Sequence, residues 1–107
     1  MTTDLAEPIK KLIDAVNDSD TERFVGAFGA DGVVNDWGRE FQGPEEIRGW
    51  SDNELIGKNS TLTVTDVRTV GEDTVVIANV GGDGFNGPST FTFTTAAGHI
   101  AKMAITE

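Results

Sequence analysis

The chain has 107 residues, even composition and no cysteine, so we expect a single domain over residues 1–107 without a disulfide framework or a thiolate metal site. Its formal net charge is −10, from 18 acidic and 8 basic side chains, and such a chain repels nucleic acid and anionic membranes. Because it also lacks a signal-peptide core and an apolar stretch of membrane-spanning length, we expect a soluble, cytoplasmic protein with neither of those partners.

The first predicted element is an amphipathic helix. Its apolar residues recur at helical spacing, and these are Leu5, Ile9, Leu12, Ile13 and Val16. Asp4 is a candidate N-cap, and Pro8 is tolerated only if it falls in the first turn. One face of this helix should therefore be buried.

A second, shorter helix follows the polar break at residues 17–20. Ser19 or Asp20 can cap it, since both side chains accept hydrogen bonds from the first free backbone N–H groups. Its buried side should consist of Phe24, Val25 and Phe28. We expect the glycine-containing residues 29–32 to end it.

A strand, a hairpin partner and a third helix come next. Residues 33–37 form a short strand, and residues 39–42 continue it or pair with it after Gly38. Gly43 and Pro44 then open a helix whose first turn carries two acids, which suit the helix dipole. Ile47 and Trp50 lie three apart on this helix and should face inward together.

From residue 60 onward the pattern alternates with a period of two, which predicts four strands over residues 61–65, 74–80, 89–95 and 99–106. Short connections make them an antiparallel meander. In the third, the phenylalanines point one way and the threonines the other, so one face is apolar and the other is nearly uncharged. The predicted fold is α+β, a curved antiparallel sheet with about three helices on its concave side.

Three runs carry a family resemblance: FGADGVVNDWG, GPEEIRGW and FTFTTAAGHIAKMAI. They resemble the nuclear transport factor 2-like superfamily, especially its small SnoaL-like and ketosteroid-isomerase-like bacterial members, and the similarity extends over residues 9–105. The resemblance implies a cone-shaped fold, a homodimer formed through the sheet, and an apolar cavity between sheet and helices.

We expect that cavity to accept a small apolar molecule and to be lined by ten side chains: Leu12, Val34, Trp37, Trp50, Ala78, Val80, Ser89, Phe91, Phe93 and Met103. By the ketosteroid isomerase pattern, Asp36 falls at the position of the catalytic base. The pattern's tyrosine is replaced by Leu12 and its protonated acid by Ser89. Since one lost oxyanion donor costs about 2.7–4 kcal/mol of transition-state stabilisation, steroid isomerisation by that mechanism is disfavoured.

Asp36 is the candidate catalytic residue. In an apolar cup its charged form is disfavoured, which lets it take and return a proton; the alternative is a solvent-facing acid before a Trp-Gly turn. Trp37 and Trp50 could supply indole N–H donors, although Trp50 also fits plain core. Asp52 either pairs with Asp36 or, as we prefer, is an exposed acid late in the helix.

The other motifs give little indication of function. His99 follows a turn remote from the cup and is expected on the surface. The glycine-rich residues 82–87 match a dinucleotide fingerprint only formally, because a proline and a strand follow instead of a helix; a loop with Phe85 as its apolar tip is the better interpretation. One histidine and no cysteine leave no zinc or iron site, and no cofactor is predicted.

The sequence is compatible with three functions. The first is a cofactor-free isomerase, dehydratase or cyclase with Asp36 as general base. The second is a module that binds a small hydrophobic molecule without chemistry. The third is a structural or partner-binding dimer that uses the threonine-rich outer face of the sheet.

Overall fold

The computed structural model describes residues 5–106, which form three α-helices, a short 3₁₀ turn and one six-stranded sheet. The helices are α1 (Glu7–Asn17), α2 (Thr21–Gly26) and α3 (Pro44–Glu54), and the turn spans Ile56–Lys58. The strands are β1 (Phe28–Asp36), β2 (Arg39–Gln42), β3 (Thr61–Val70), β4 (Asp73–Gly81), β5 (Gly87–Ala96) and β6 (His99–Thr106). The predicted α+β architecture is confirmed.

The strands lie in the order β2-β1-β6-β5-β4-β3. The last four form the predicted antiparallel meander. β1 pairs with β2 in an antiparallel hairpin and with β6 in parallel, so the sheet contains one parallel pairing that the sequence had not indicated. Because β1 lies between β2 and β6, the hairpin that carries Asp36 is an integral part of the sheet.

The two N-terminal helices bury the predicted apolar faces. In α1 the four residues Ile9, Leu12, Ile13 and Val16 are buried, and Pro8 lies in the first turn. The N-cap of α1 is Ala6, while Asp4 lies outside the described residues. Asp20 caps α2, its side chain accepting a hydrogen bond from the Arg23 backbone N–H at 3.1 Å. Phe24 and Val25 are buried as expected.

The sequence placed the end of α2 and the start of β1 wrongly. α2 ends at Gly26, and Phe28 is the first residue of β1 instead of the last buried residue of the helix. Residues 29–32 belong to the strand, where the pairing with β6 shifts between Phe28 and Val33. A Cβ on Gly32 would lie 2.8 Å from the Phe28 Cβ, so the glycine is needed for this tight backbone and not for a helix stop.

α3 begins at the predicted place. Gly43 has a positive φ of 87°, which favours glycine, and Pro44 follows in the first turn. Ile47 and Trp50 are both buried on the inward face, as predicted. The helix lies over β1 and β2 and therefore covers the strand end that carries Asp36.

The inward face of the sheet contains two neighbouring rows that cross β1, β6 and β5. One row, Val34, Met103 and Phe93, is fully buried, and we call it the core row. The next row toward the other end of the sheet is Asp36, Ile105 and Phe91, and we call it the cavity row. Both rows point inward because side chains alternate along each strand.

Candidate functional site

A cavity of about 420 Å³ opens above the cavity row. Its wall combines the ends of β1 and β6, parts of β4 and β5, the C-terminal end of α3, the 3₁₀ turn and the loop at residues 82–86. Six predicted site residues line it: Asp36, Trp37, Trp50, Val80, Ser89 and Phe91. The structure therefore brings the candidate acid and both tryptophans to one space.

The Asp36 side chain is buried and held through one oxygen. Its Oδ2 accepts a hydrogen bond from Arg39 Nη2 at 2.6 Å and another from Trp50 Nε1 at 3.0 Å. The hairpin partner Arg39 thus supplies a cation to the carboxylate, a pairing that was not predicted from the sequence. Within the described residues Oδ1 accepts no hydrogen bond, and the side chain keeps 13 % exposure on the cavity side.

The turn between β1 and β2 brings Asp36 and Arg39 together. They are paired residues across the hairpin, so their side chains lie on the same face. The two intervening residues, Trp37 and Gly38, both have positive φ values, 55° and 91°, which is the pattern of a tight type I′ hairpin turn. The register of this turn thus fixes the position of the cation beside the acid.

Arg39 also reaches α3. Its guanidinium donates to both carboxylate oxygens of Glu54, at 3.0 and 2.7 Å, while it donates to Asp36. Hydrogen bonds to Glu54 and then to Asp36 raise the pKa of the Arg39 guanidinium above its usual range. The network Asp36–Arg39–Glu54 links the end of β1 to the end of α3 beside the cavity mouth.

Trp50 belongs both to the packed core and to the cavity wall. It is buried, with its ring 6.3 Å from that of Phe24 and 6.1 Å from that of Phe41. Its N–H donates to Asp36, so the indole satisfies its one polar group within the site. The packing that holds Trp50 therefore also fixes the orientation of the Asp36 carboxylate.

Two buried serines add hydroxyl groups to the wall. Ser60 and Ser89 are 4 % and 5 % exposed, and both line the cavity. No fully enclosed side-chain N or O atom in residues 5–106 lacks a partner. Neither hydroxyl bonds another described residue, so each is available to donate to or accept from a molecule bound in the cavity.

Five predicted lining residues lie in the packed core and not on the wall: Leu12, Val34, Ala78, Phe93 and Met103. Their faces were predicted correctly, since all are inward. Val34, Phe93 and Met103 form the core row, which lies two residues from the cavity row on each strand. Leu12 is completely buried in α1, so it leaves no vacancy at the site where a tyrosine donor would stand.

Several residues of the cavity wall were not predicted from the sequence. Arg39, Glu54, Lys58 and Ser60 supply most of the additional polar groups, and Leu55 and Ile105 add apolar surface. The predicted hairpin contained the signal for Arg39, because a two-residue turn places it opposite Asp36. Glu54 and Lys58 had no such signal, since their positions depend on where α3 ends.

The remaining candidates lie elsewhere or have minor roles. Asp52 is exposed and does not line the cavity. His99 is exposed at the start of β6, beside a separate small cleft. Residues 5–106 contain no cluster of histidine, cysteine or acidic side chains suited to a metal ion. In the same range, every helix is too short or too polar to cross a bilayer.

The loop at residues 82–86 covers one side of the cavity, and Phe85 at its tip lines the wall. Its base is held by Asn59, which donates to the Asp83 carboxylate at 2.8 Å. The Asp83 backbone N–H donates to the Lys58 carbonyl, also at 2.8 Å. The loop therefore has a defined position relative to the 3₁₀ turn.

Comparison with known proteins gives a consistent result. Residues 9–103 match the SnoaL-like domain. A search of curated proteins found no match. A candidate polyketide cyclase from Sinorhizobium meliloti is 26% identical, with a TM-score of 0.83 and 95% of each chain covered.

Two further solved structures share the fold. A Catenulispora acidiphila protein with a ketosteroid isomerase-like fold, in complex with trimethylamine, is 22% identical, with a TM-score of 0.81 over 97% of this chain and 87% of that one. A Mycobacterium tuberculosis protein in complex with estradiol-17beta-hemisuccinate is 16% identical, with a TM-score of 0.78 over 94% of this chain and 90% of that one. At these identities the likeness is one of fold.

Proposed function

The chain belongs to the SnoaL-like domain family, and from that premise we propose that its cavity binds a small, largely apolar molecule that donates one hydrogen bond to Asp36. A volume of about 420 Å³ lies in the range of small-molecule sites. Leu55, Val80, Phe91 and Ile105 supply apolar wall, and six polar or charged side chains lie on the same wall. This combination favours an apolar body with one polar group.

The observation that carries the proposal is that only one of the two Asp36 carboxylate oxygens accepts hydrogen bonds from the described residues. Oδ2 is occupied by Arg39 and Trp50, whereas Oδ1 is left for a donor from outside the described chain. A hydrogen bond to a charged acceptor contributes about 1.5–3 kcal/mol, more than a neutral one. A ligand hydroxyl or N–H at Oδ1 would therefore be favoured over a ligand that only accepts.

Structures of the same fold support a small-molecule role without defining the ligand. One is in complex with estradiol-17beta-hemisuccinate and another with trimethylamine. The two molecules differ in size and charge, so the inference for this chain rests on its own wall. That wall has one free carboxylate oxygen and two free hydroxyls beside its apolar side chains, the Asp36–Arg39–Glu54 network and Lys58.

The test exchanges the polarity of one atom. In Asp36→Asn the amide oxygen should stay with Arg39 and Trp50, which are both donors, and the NH₂ should replace Oδ1. Cyclohexanol donates a hydrogen bond and cyclohexanone only accepts one. Their dissociation constants are measured from the shift of the Trp50 indole N–H resonance, with Asp52→Asn as the control for loss of one surface charge.

We expect the wild type and Asp52→Asn to prefer cyclohexanol by about tenfold, and Asp36→Asn to prefer cyclohexanone. Binding of neither compound to the wild type would overturn the proposal. An unchanged preference in Asp36→Asn would also overturn it, because the ligand would then not contact this residue.

A second candidate function is proton transfer by Asp36, in an isomerase, dehydratase or cyclase without a cofactor. The same free Oδ1 favours it, as does the likeness to the candidate polyketide cyclase. Oδ1 would take a proton from carbon next to a carbonyl, leaving an enolate, and return a proton to that carbon. Ser60 and Ser89 are the hydroxyls available to the enolate oxygen.

Exchange of the cyclohexanone hydrogens for deuterium in heavy water tests this second function by NMR. We expect exchange above the buffer rate for the wild type and for Asp52→Asn, and the buffer rate for Asp36→Asn. Exchange by the wild type at the buffer rate would reject proton transfer, and ligand binding would be the only one of the two functions left.

We further propose that the outer face of the sheet joins two copies of the chain. Val75, Ile77, Thr92 and Ala104 lie close together there, are half-buried and carry no charge. Light scattering should give twice the chain mass for the wild type and the single mass for Ile77→Glu. A wild type that stays monomeric at high concentration would overturn this proposal.

A further inference from the structure

Two aromatic side chains lie exposed at the cavity. Among the described residues four large hydrophobic side chains are strongly exposed, and the two aromatic ones are Trp37, at 60%, and Phe85, at 58%. Both line the cavity, one from the β1–β2 turn and the other from the loop at residues 82–86. Exposed aromatic surface gathered at one opening is typical of a site for another molecule.

The backbone of Trp37 supports the same conclusion. Its φ of 55° lies in the left-handed region, which a bulky side chain occupies only at a cost in free energy. The first position of a type I′ turn favours asparagine, aspartate or glycine, and asparagine followed by glycine would suit residues 37 and 38. The exposed indole gains little packing within the described chain to offset that cost, so a contact outside the chain is the better explanation.

Phe85 is held near the opening by its loop. Asp83 bonds Asn59 at the base of the loop, and the Asn86 side chain donates to the Gly82 carbonyl at 2.8 Å. The loop backbone is thus tied on both sides of Phe85 while the phenyl ring stays exposed. An aromatic side chain in a tethered loop can contact a ligand with little further loss of conformational entropy.

The charges around the opening decide which kind of molecule suits these rings. Asp36 and Glu54 share the single cation of Arg39, and Lys58 adds a second positive charge, so the two acids and two bases of this wall balance. A ligand cation would meet Arg39 and Lys58, and an anion would meet the two carboxylates. A neutral flat ring meets neither penalty and can stack on indole and phenyl.

We propose that Trp37 and Phe85 form a second subsite at the cavity opening, which holds a neutral flat ring attached to the part of the ligand that reaches Asp36. This inference rests on the proposed binding function and names the class of ligand: a two-part molecule with an apolar, hydroxyl-bearing inner end and a planar outer ring. A ligand that consists only of the inner part would then bind more weakly than the two-part molecule.

Three alcohols test the proposal. Cyclohexanol has the inner part only, 4-phenylcyclohexanol adds a flat ring, and 4-cyclohexylcyclohexanol adds a saturated ring of similar size. Dissociation constants come from the Trp50 indole N–H resonance, which every variant retains. The variants are Trp37→Asn, Phe85→Ser and the double variant, and asparagine suits the left-handed position, so Trp37→Asn should fold at least as stably.

We expect the wild type to bind the phenyl compound about threefold to tenfold more tightly than its saturated analogue, as aromatic stacking allows. The double variant should lose that difference, so that it binds the two larger alcohols with equal affinity. If the wild type binds cyclohexanol but does not distinguish the two larger alcohols, the second subsite is rejected and the proposed function stands. If the wild type binds none of the three, the proposed function fails and the subsite fails with it.

Discussion

The two ends of the sheet's inward face differ in how completely side chains fill them. The same strands, with the same alternating pattern, form both ends. At the closed end the core row, Val34, Met103 and Phe93, lies in a solid core with residues of α1 and α2. Two residues away on each strand, the cavity row forms the floor of an open space. Alternation decides which face of the sheet is inward, whereas the helices decide which part of that face is covered.

Small and polar residues distinguish the open end. Along the inward face of β5 the order is Phe93, Phe91 and Ser89, from the packed core to a hydroxyl on the cavity wall. Along β1 it is Val34 and then Asp36. The open end thus has polar groups where the closed end has packed side chains. Substitutions should mainly affect stability at the closed end and ligand binding at the open end.

The largest effect on stability should come from a matched pair of truncations on β5. Phe93→Ala leaves a void in a filled core, so we expect a loss of about 3–5 kcal/mol in the free energy of unfolding. Phe91→Ala enlarges a space that already exists, and its loss should be smaller by about 1–2 kcal/mol. Urea denaturation of both variants gives the comparison. Equal losses would mean that the open end is as closely packed as the closed end.

A substitution that fills the cavity should weaken ligand binding and leave stability unchanged. Ser89→Leu places a larger apolar side chain in open space, so we expect at least about tenfold weaker cyclohexanol binding with no loss of stability. The control is Ser51→Leu, because Ser51 is fully buried in packed surroundings and its Oγ accepts a hydrogen bond from the Ile56 N–H at 3.4 Å. Overpacking there should cost about 1–3 kcal/mol. A destabilised Ser89→Leu with normal binding would contradict the proposed location of the ligand.

At the cavity opening, relief of backbone strain should raise stability by a smaller amount. Trp37→Asn should gain about 1 kcal/mol, since asparagine tolerates the left-handed backbone that the indole occupies at a cost. Gly38→Ala, at a φ of 91°, should lose stability and serves as the opposite control. Urea midpoints measure both. A destabilised Trp37→Asn would mean that the indole packs on the chain more than its exposure indicates.

The smallest effect belongs to the surface that joins α2 and α3 outside the cavity. Arg48 donates to both carboxylate oxygens of Glu22, and that contact lowers the pKa of Glu22. A lowered folded-state pKa gives stability that is present above the unfolded value, about 4.3, and is lost as pH falls through the folded value. Glu22→Gln should therefore flatten the fall in stability below about pH 5.

That effect should be small, because both side chains are exposed and salt screens them. Melting temperatures at a series of pH values, at low and high salt, measure it. An identical acid profile in wild type and Glu22→Gln would remove the pair from the account of stability. Asp52→Asn is the control for loss of a nearby charge on α3.

The sequence predicted the order of elements and the face of most residues, because apolar periodicity reports both. It did not predict depth along a strand, so Phe93 and Met103 were placed on the cavity wall although they lie one row away from it. It named the Trp50 indole as a possible donor but missed Arg39, the other partner of Asp36. Arg39 could be inferred from the hairpin register, but Trp50 and Glu54 meet the site only through the packing of α3.

The most direct test of the difference between the two ends is a backbone and indole N–H map by NMR, recorded while cyclohexanol is added. If the ligand occupies the open end, we expect progressive shifts of the Trp50 indole and of the Ser89 and Ile105 amides, with the amides of Leu12 and Phe24 unchanged. Shifts centred on α1 and α2, or on the outer face of the sheet without the Trp50 indole, would contradict it.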